Sequence, residues 1–227
     1  MKCLNDVKAK DIKNSIGTDA VYQSKNSGCF TITSYLDSYN IGVKFVNTSF
    51  EMFTHLGCIK SGNVKDPYSP SVYGVGVVGT KYPTMINGRN TKEYGLWQNM
   101  LTRCYNDTYK NKQPTYIGCE VSNNFKSYEY FYEWCQNQIG FNNEGWHLDK
   151  DLLIKGNKDY SEYTCVFLPS EINSLLVKRE SSRGEHLIGV CWSNTNKTFV
   201  AQVRKNKGKQ EHLGYFNTEL EAFKAYK

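Results

Sequence analysis

The segment His147-Leu148-Asp149-Lys150-Asp151 sets one imidazole and two carboxylates at alternate positions. On a β-strand successive side chains point to opposite faces, so His147, Asp149 and Asp151 would share one face. Imidazole and carboxylate groups gathered in this way are the raw material of metal binding and of acid–base work. Lys150, set between the acids, keeps its proton near neutral pH and is a poor base. A plainer arrangement fits the same five residues: two surface carboxylates bracketing a lysine, beside a partly exposed histidine. Two other patterns carry less. Gly74-Val75-Gly76-Val77-Val78-Gly79 has the spacing of a dinucleotide loop, but a phosphate cradle needs a helix N-terminus behind it, and Pro83 and Gly88 interrupt instead. Cys3, Cys29, Cys58, Cys104, Cys119, Cys135, Cys165 and Cys191 never pair as CxxC, which favours reduced, buried thiols over a disulfide scaffold or zinc ribbon. Cys104, Cys119 and Cys165 raise a structural zinc, with plain core positions as the commoner use of such isolated cysteines.

The elements that must position these residues are legible in outline. Trp146 to Ile154 alternates and predicts a strand, Gly156-Asn157 a hairpin-type turn, Cys165 to Leu168 a second strand, and Pro169 to Leu176 a short helix. Upstream, Tyr94, Trp97, Met100, Leu101 and Cys104 recur at helical spacing. A second helix is expected over Phe125, Tyr128, Phe131, Tyr132 and Cys135, with Ser122 or Asn123 as its N-cap. The first third reads as short strands at 28–32, 41–45 and 72–77, separated by Asn47-Thr48-Ser49 and Asp66-Pro67-Tyr68-Ser69-Pro70. After a charged linker at 178–184, Thr198 to Arg204 and Glu211 to Phe216 form a hairpin. Thr218-Glu219-Leu220-Glu221 is a capping box that opens a last helix. The chain stops at Lys227 in mid-helix, so a longer native protein or a frayed end is expected.

The expected class is α+β, in three modules: a small β-rich module at 1–88, a ββα core with flanking helices at 89–177, and a three-stranded antiparallel sheet plus helix at 185–227. Of the net charge of +6, residues 1–88 hold +3 (9 basic, 6 acidic), 89–173 hold −2 (9 and 11) and 174–227 hold +5 (10 and 5). The basic tail beside an acidic middle suits a grip on an anionic polymer, although three solvated surfaces would give the same counts. No membrane span or signal peptide is present in the pattern, so a soluble, cytoplasmic protein is expected.

From Tyr94 to Asn173 the chain resembles the phage HNH nucleases. The resemblance rests on Trp97, Met100, Arg103 and Cys104, on Tyr116-Ile117-Gly118-Cys119, on Leu148-Asp149-Lys150-Asp151, on Tyr160-Ser161 with Cys165, and on Asn173. It implies a ββα fold holding a divalent metal, Mg²⁺ first with Mn²⁺ or Zn²⁺ as alternatives, between Asp149 and Asn173. His147 is then the substitute base, since Lys150 departs from the histidine common in HNH enzymes. Asn157 becomes the residue that orients the base, and Lys150 and Arg103 candidates for phosphate neutralisation.

The tail resembles the DNA-binding domain of the plant APETALA and ethylene-response-factor proteins, which also occurs in phage and bacterial nucleases. The matching residues are Gly189-Val190 with Trp192, Lys197, Phe199 to Val203, His212 to Thr218, and Glu221-Ala222 with Ala225-Tyr226. The resemblance implies a sheet laid in the major groove of double-stranded DNA. Ser193, Gln202, Arg204, Gln210 and His212 then lie on the DNA side, Lys197, Lys205, Lys207 and Lys209 are available for phosphates, and Phe199, Ala201, Val203 and Leu213 form the core. Cys191 and Gln210 stand where basic residues are usual, so guanine-rich specificity does not carry over.

Together these point to a phage or mobile-element protein, a metal-dependent HNH-type DNA endonuclease of the homing kind. The rival is a catalytically inactive scaffold that binds DNA as a regulator, or a host or phage protein as a counter-defence inhibitor. Neither reading calls for a membrane or a small-molecule cofactor.

Overall fold

The computed structural model describes residues 8–154, 156–176, 185–204 and 210–227. The chain is α+β and divides into two compact units, Met1–Asn173 and Ser174–Lys227.

The first unit opens with α1 (Ala9–Asn14) and a four-stranded antiparallel meander, β1 (Tyr22–Gln23), β2 (Cys29–Tyr35), β3 (Ile41–Phe45) and β4 (Glu51–Thr54), followed by α2 (Leu56–Ser61). Alternation along β2 and β3 turns Phe30, Ile32, Ile41, Val43 and Phe45 inward against Ile12, Tyr22, Ile59 and Val64. The strands expected at 28–32 and 41–45 are thus present. The third, at 72–77, is not: Tyr73 (φ 52°) and Gly74 (φ 72°) are both left-handed and reverse the chain, leaving isolated bridges from Val72 to Gly76 and from Val77 to Ser127. Gly76 is needed there for close approach, since a Cβ would lie 2.6 Å from Leu101 Cδ1 and 2.9 Å from the Trp97 ring. Its loop packs on a second core, with Val72, Val75 and Val78 against it.

Between them a two-residue Asn87-Gly88 turn, both residues at positive φ, joins β5 (Met85–Ile86) to β6 (Arg89–Asn90). The second core is then built by α3 (Lys92–Tyr105) and α5 (Tyr128–Gln136), with α4 (Asp107–Lys112) between them. Trp97, Met100, Leu101 and Cys104 face inward from α3, and Tyr128, Phe131 and Cys135 from α5. The Trp97 indole Nε1 donates to the Phe125 carbonyl at 2.7 Å, which satisfies its one polar atom in the core. The N-cap of α5 is Ser127, whose hydroxyl accepts from Tyr130 N. Ser122, expected as that cap, instead accepts from Phe125 N in a preceding turn.

Strands β7 (Glu120–Val121) and β9 (Asp159–Tyr160) pair in parallel, while β8 (Trp146–Asp149) pairs antiparallel with β10 (Val166–Pro169), from which α6 (Ser170–Leu176) continues directly. The order strand, strand, helix is therefore as the alternation indicates. Two details differ from expectation. The first strand ends at Asp149 rather than Ile154, and Gly156-Asn157 lies in the long connection between β8 and β9 rather than in a two-residue hairpin.

The second unit holds β11 (Val190–Ser193), β12 (Thr198–Arg204) and β13 (Gln210–Phe216) as an antiparallel sheet in that order, with α7 (Glu219–Tyr226) packed on it. The capping box is made: Glu221 N donates to Thr218 Oγ1 at 3.3 Å and Thr218 N to Glu221 Oε2 at 3.1 Å. Ala201 and Ala222 are fully buried. Phe199 and Val203 share Ala201's face and are partly buried. Leu213 does not belong to that core: a bulge between Ala201 and Gln202 leaves it without a cross-strand partner and 37% exposed. At Gly189 (φ 78°) a Cβ would meet the Tyr226 ring at 2.0 Å. Gly189→Ala is accordingly expected to destabilise this unit by about 1 to 3 kcal/mol, visible as a lowered denaturation midpoint.

Candidate functional site

The face of β8 decides what each chemical residue can do. Trp146 and Leu148 pack on the second core, so the next residue in that alternation, Lys150, is carried inward as well and is only 7% exposed. His147 and Asp149 take the opposite side, opposite Leu168 and Val166 of β10. His147 is exposed and Asp149 half-buried.

Asp151 does not join them as the alternation suggests, because the strand has already ended. The Asp149 carboxylate accepts, on Oδ1, from the backbone N–H of both Asp151 and Leu152 at 2.8 Å. Such a side-chain turn offers the backbone partners that a ladder would otherwise supply, and it bends the chain away from β10. Leu152, Leu153 and Ile154 are left exposed in the following loop.

The Lys150 ammonium is enclosed by three partners. It donates to Asp151 Oδ1 and to the Asn157 carbonyl, each at 2.6 Å, and lies 5.8 Å from the centre of the Tyr160 ring. Asn157 closes the loop from the other side: its Nδ2 donates to the Lys150 carbonyl at 2.8 Å and to the Asp159 carbonyl at 2.6 Å. Asn157 therefore positions the Lys150 backbone, not an imidazole. The Lys150 ammonium makes its contacts to Asp151 and to the Asn157 carbonyl as a donor, so its nitrogen is committed to the loop and is not placed to accept a proton from water.

Asn173 lies on α6 and is half-buried. Asp149 keeps one carboxylate oxygen outside its turn bonds. An acid and an amide give hard oxygen donors of the kind Mg²⁺ accepts, and that ion commonly takes few protein ligands and keeps waters or phosphate oxygens. A closed zinc site asks for more donors, and the described residues contain no group of three or more His, Cys, Asp or Glu able to hold a metal. Cys104, Cys119, Cys135 and Cys165 are buried free thiols, and burial pushes Cys104 and Cys165 up to about 12. All four are core residues.

Arg103 reaches the same neighbourhood from α3. Its Nη1 donates to the Tyr160 hydroxyl at 3.3 Å, and its guanidinium lies 5.5 Å from the centre of the Tyr116 ring. Tyr160 is itself buried, and burial holds its hydroxyl well above the ordinary phenol range.

In the second unit, cross-strand pairing sets Cys191 opposite Val200 and Gln202 opposite His212, with Val200 opposite Tyr215, all on the face that alternates with Ala201. Gln202 Nε2 contacts Cys191 Sγ at 3.3 Å, and the His212 and Tyr215 rings have centroids 4.5 Å apart. Ser193 is half-buried at the end of β11, while Lys197 and Gln210 are exposed. Tyr215, 56% exposed, is a member of this face that the sequence reading passed over, although its place in Gly214-Tyr215-Phe216 on an alternating strand was the available signal. Lys205, Lys207 and Lys209, and the side chain of Arg204, lie outside the described residues.

Comparisons with family models, curated proteins and solved structures found no match.

Proposed function

We propose that the chain is a DNA-binding protein of the metal-dependent endonuclease type, with the β8-β10-α6 segment as its cleavage centre and the second unit as its grip on duplex DNA. The observation that carries this is the antiparallel pair β8 and β10 running directly into a helix, with His147 and Asp149 on the side of β8 that alternates with its core residues. Asp149 and Asn173 would hold the ion, which when bound supplies charge stabilisation to a leaving oxygen. His147, exposed on that side of the strand, is the candidate to accept a proton from water. Lys150 contributes no proton transfer and fixes the loop that shapes Asp149. On the sheet, Ser193, Gln202, Arg204, Gln210 and His212 are the candidates to meet base edges, joined by Tyr215, and Lys197, Lys205, Lys207 and Lys209 those to meet phosphates.

A second reading is favoured by one observation, the enclosure of Lys150 where an HNH enzyme would carry its base. In that reading the scaffold binds DNA, or a host or phage protein, without cutting.

Plasmid nicking with Mg²⁺, Mn²⁺ or Zn²⁺, and with chelator, separates the two. The parent is expected to nick with metal and not with chelator, while Asp149→Ala and His147→Ala lose cleavage and keep duplex binding. Duplex binding without nicking under any metal would replace the enzyme reading with the non-catalytic one. Undiminished cleavage by Asp149→Ala would remove the metal assignment.

A further inference from the structure

Two cations meet at Tyr160. Lys150 lies over its ring and Arg103 donates to its hydroxyl, yet only Asp151 is paired with either of them. Among the described residues no carboxylate comes within 4.0 Å of the half-buried Arg103 guanidinium. Asp151 answers Lys150, and Arg103 has no carboxylate of its own.

The surrounding groups do not supply one. Tyr116 supplies a ring face to the guanidinium and Tyr109 packs on Tyr116 with ring centroids 5.7 Å apart, so the walls are aromatic rather than acidic. Tyr160 spends its oxygen on accepting from Arg103, while its own proton has no acceptor among the hydrogen bonds of the described residues. Burial keeps that proton on the oxygen at any physiological pH. A third cation stands nearby: Lys158 donates to the carbonyl of Thr115, the residue before Tyr116, at 2.7 Å. A guanidinium without an acid and a phenol proton without an acceptor are two donors that an oxyanion would satisfy together.

We propose that Arg103 and Tyr160, walled by Tyr116, form a seat for one phosphoryl oxyanion, with Lys158 at its margin. Arg103 makes the charge-assisted contact and Tyr160 the neutral one. The ligand class is a phosphate group, either free or as a diester of a nucleic-acid backbone, and the diester identity rests on the DNA-binding reading above. In that setting the seat gives the first unit a hold on the backbone that does not depend on the sheet of the second.

Calorimetric titration of the full chain with inorganic phosphate, and separately with the dinucleotide monophosphate dTpdT, tests the seat. Saturable binding is expected, weakened by about tenfold or more in Arg103→Gln and to a smaller extent in Tyr160→Phe. Tyr160→Phe keeps the buried ring, so it remains informative if Arg103→Gln fails to fold. Arg103→Lys, with charge but no fork, is expected to fall between the parent and Arg103→Gln. Binding of dTpdT supports a backbone ligand. Binding of inorganic phosphate alone keeps the seat and makes free phosphate its ligand. A parent that binds neither probe, or Arg103→Gln and Tyr160→Phe proteins that bind both as the parent does, would overturn the proposal. Duplex affinity is read in parallel, so a parent that takes phosphate but no duplex removes the DNA reading and leaves the seat standing.

Discussion

Lys150→Met is expected to lower the unfolding free energy of the first unit by about 2 to 3 kcal/mol. The methionine keeps the apolar stem in place beside Tyr160 and deletes only the ammonium. What is lost is a pair of short donor contacts, to the Asp151 carboxylate and to the Asn157 carbonyl. Asp151 is 53% exposed on its side chain and regains water on losing its partner, so the carbonyl bears most of the cost. Urea melts followed by tyrosine and tryptophan fluorescence read the difference as a shifted midpoint at unchanged slope. A midpoint equal to that of the parent would mean that Lys150 faces solvent and is free to act on a substrate, which would reopen it as a catalytic group.

Trp97→Ala should cost more, about 3 to 5 kcal/mol. The indole is fully buried at the centre of the second core, in ring contact with Tyr94 and Tyr128, and its Nε1 satisfies the Phe125 carbonyl. Alanine removes the packing and leaves that carbonyl without its donor. Trp97→Phe separates the two contributions by restoring most of the volume without the donor, and it is expected to recover more than half of the loss. Gly76 stacks its bare backbone on the same ring, so Gly76→Ala in the Trp97→Ala background should be milder than in the parent. A double-mutant cycle measures that coupling, and strict additivity would show that the loop and the helix do not share the site.

How much of this was legible depended on the range of the interaction that decides each element. Helix α3 was readable because Trp97, Met100, Leu101 and Cys104 repeat within the helix itself. The order of β8, β10 and α6 was readable for the same reason, each element carrying its own pattern. The end of β8 was not, because it is set by one carboxylate turning back onto two N–H groups, and an alternating string such as Asp149-Lys150-Asp151-Leu152 hides that competition. Gly156-Asn157 misled as a hairpin signal, whereas Asn87-Gly88, a stronger one, does make a tight hairpin and went unread. The parallel pairing of β7 with β9 joins residues thirty-nine positions apart with two-residue strands, and neither strand is long enough to show a period. At the candidate site, alternation set His147, Asp149 and Asp151 on one face, which describes the first two and fails for Asp151, where the strand has already ended. The same alternation sent Lys150 to the core, and its partners at Asp151, Asn157 and Tyr160 became visible only with the loop closed. Leu213 failed for a related reason, since a bulge shifts the inside-outside rhythm by one residue and no local residue type announces it.

The four buried thiols of the second core give the protein a built-in record of its own opening. Cys104, Cys119, Cys135 and Cys165 come from four different stretches of chain, and none is accessible to an alkylating reagent while the core is closed. Half-exposed Cys29, Cys58 and Cys191 offer a contrasting class within the same molecule. Under a maleimide pulse the slow class reacts only during excursions that separate the helices, so its rate measures the frequency of those excursions rather than thiol chemistry. Each such modification adds bulk that the closed core has no room for, which makes the opening irreversible. In an oxidising medium the working lifetime of the protein would then be set by how often its interior breathes, and a stabilising change remote from every cysteine would lengthen it.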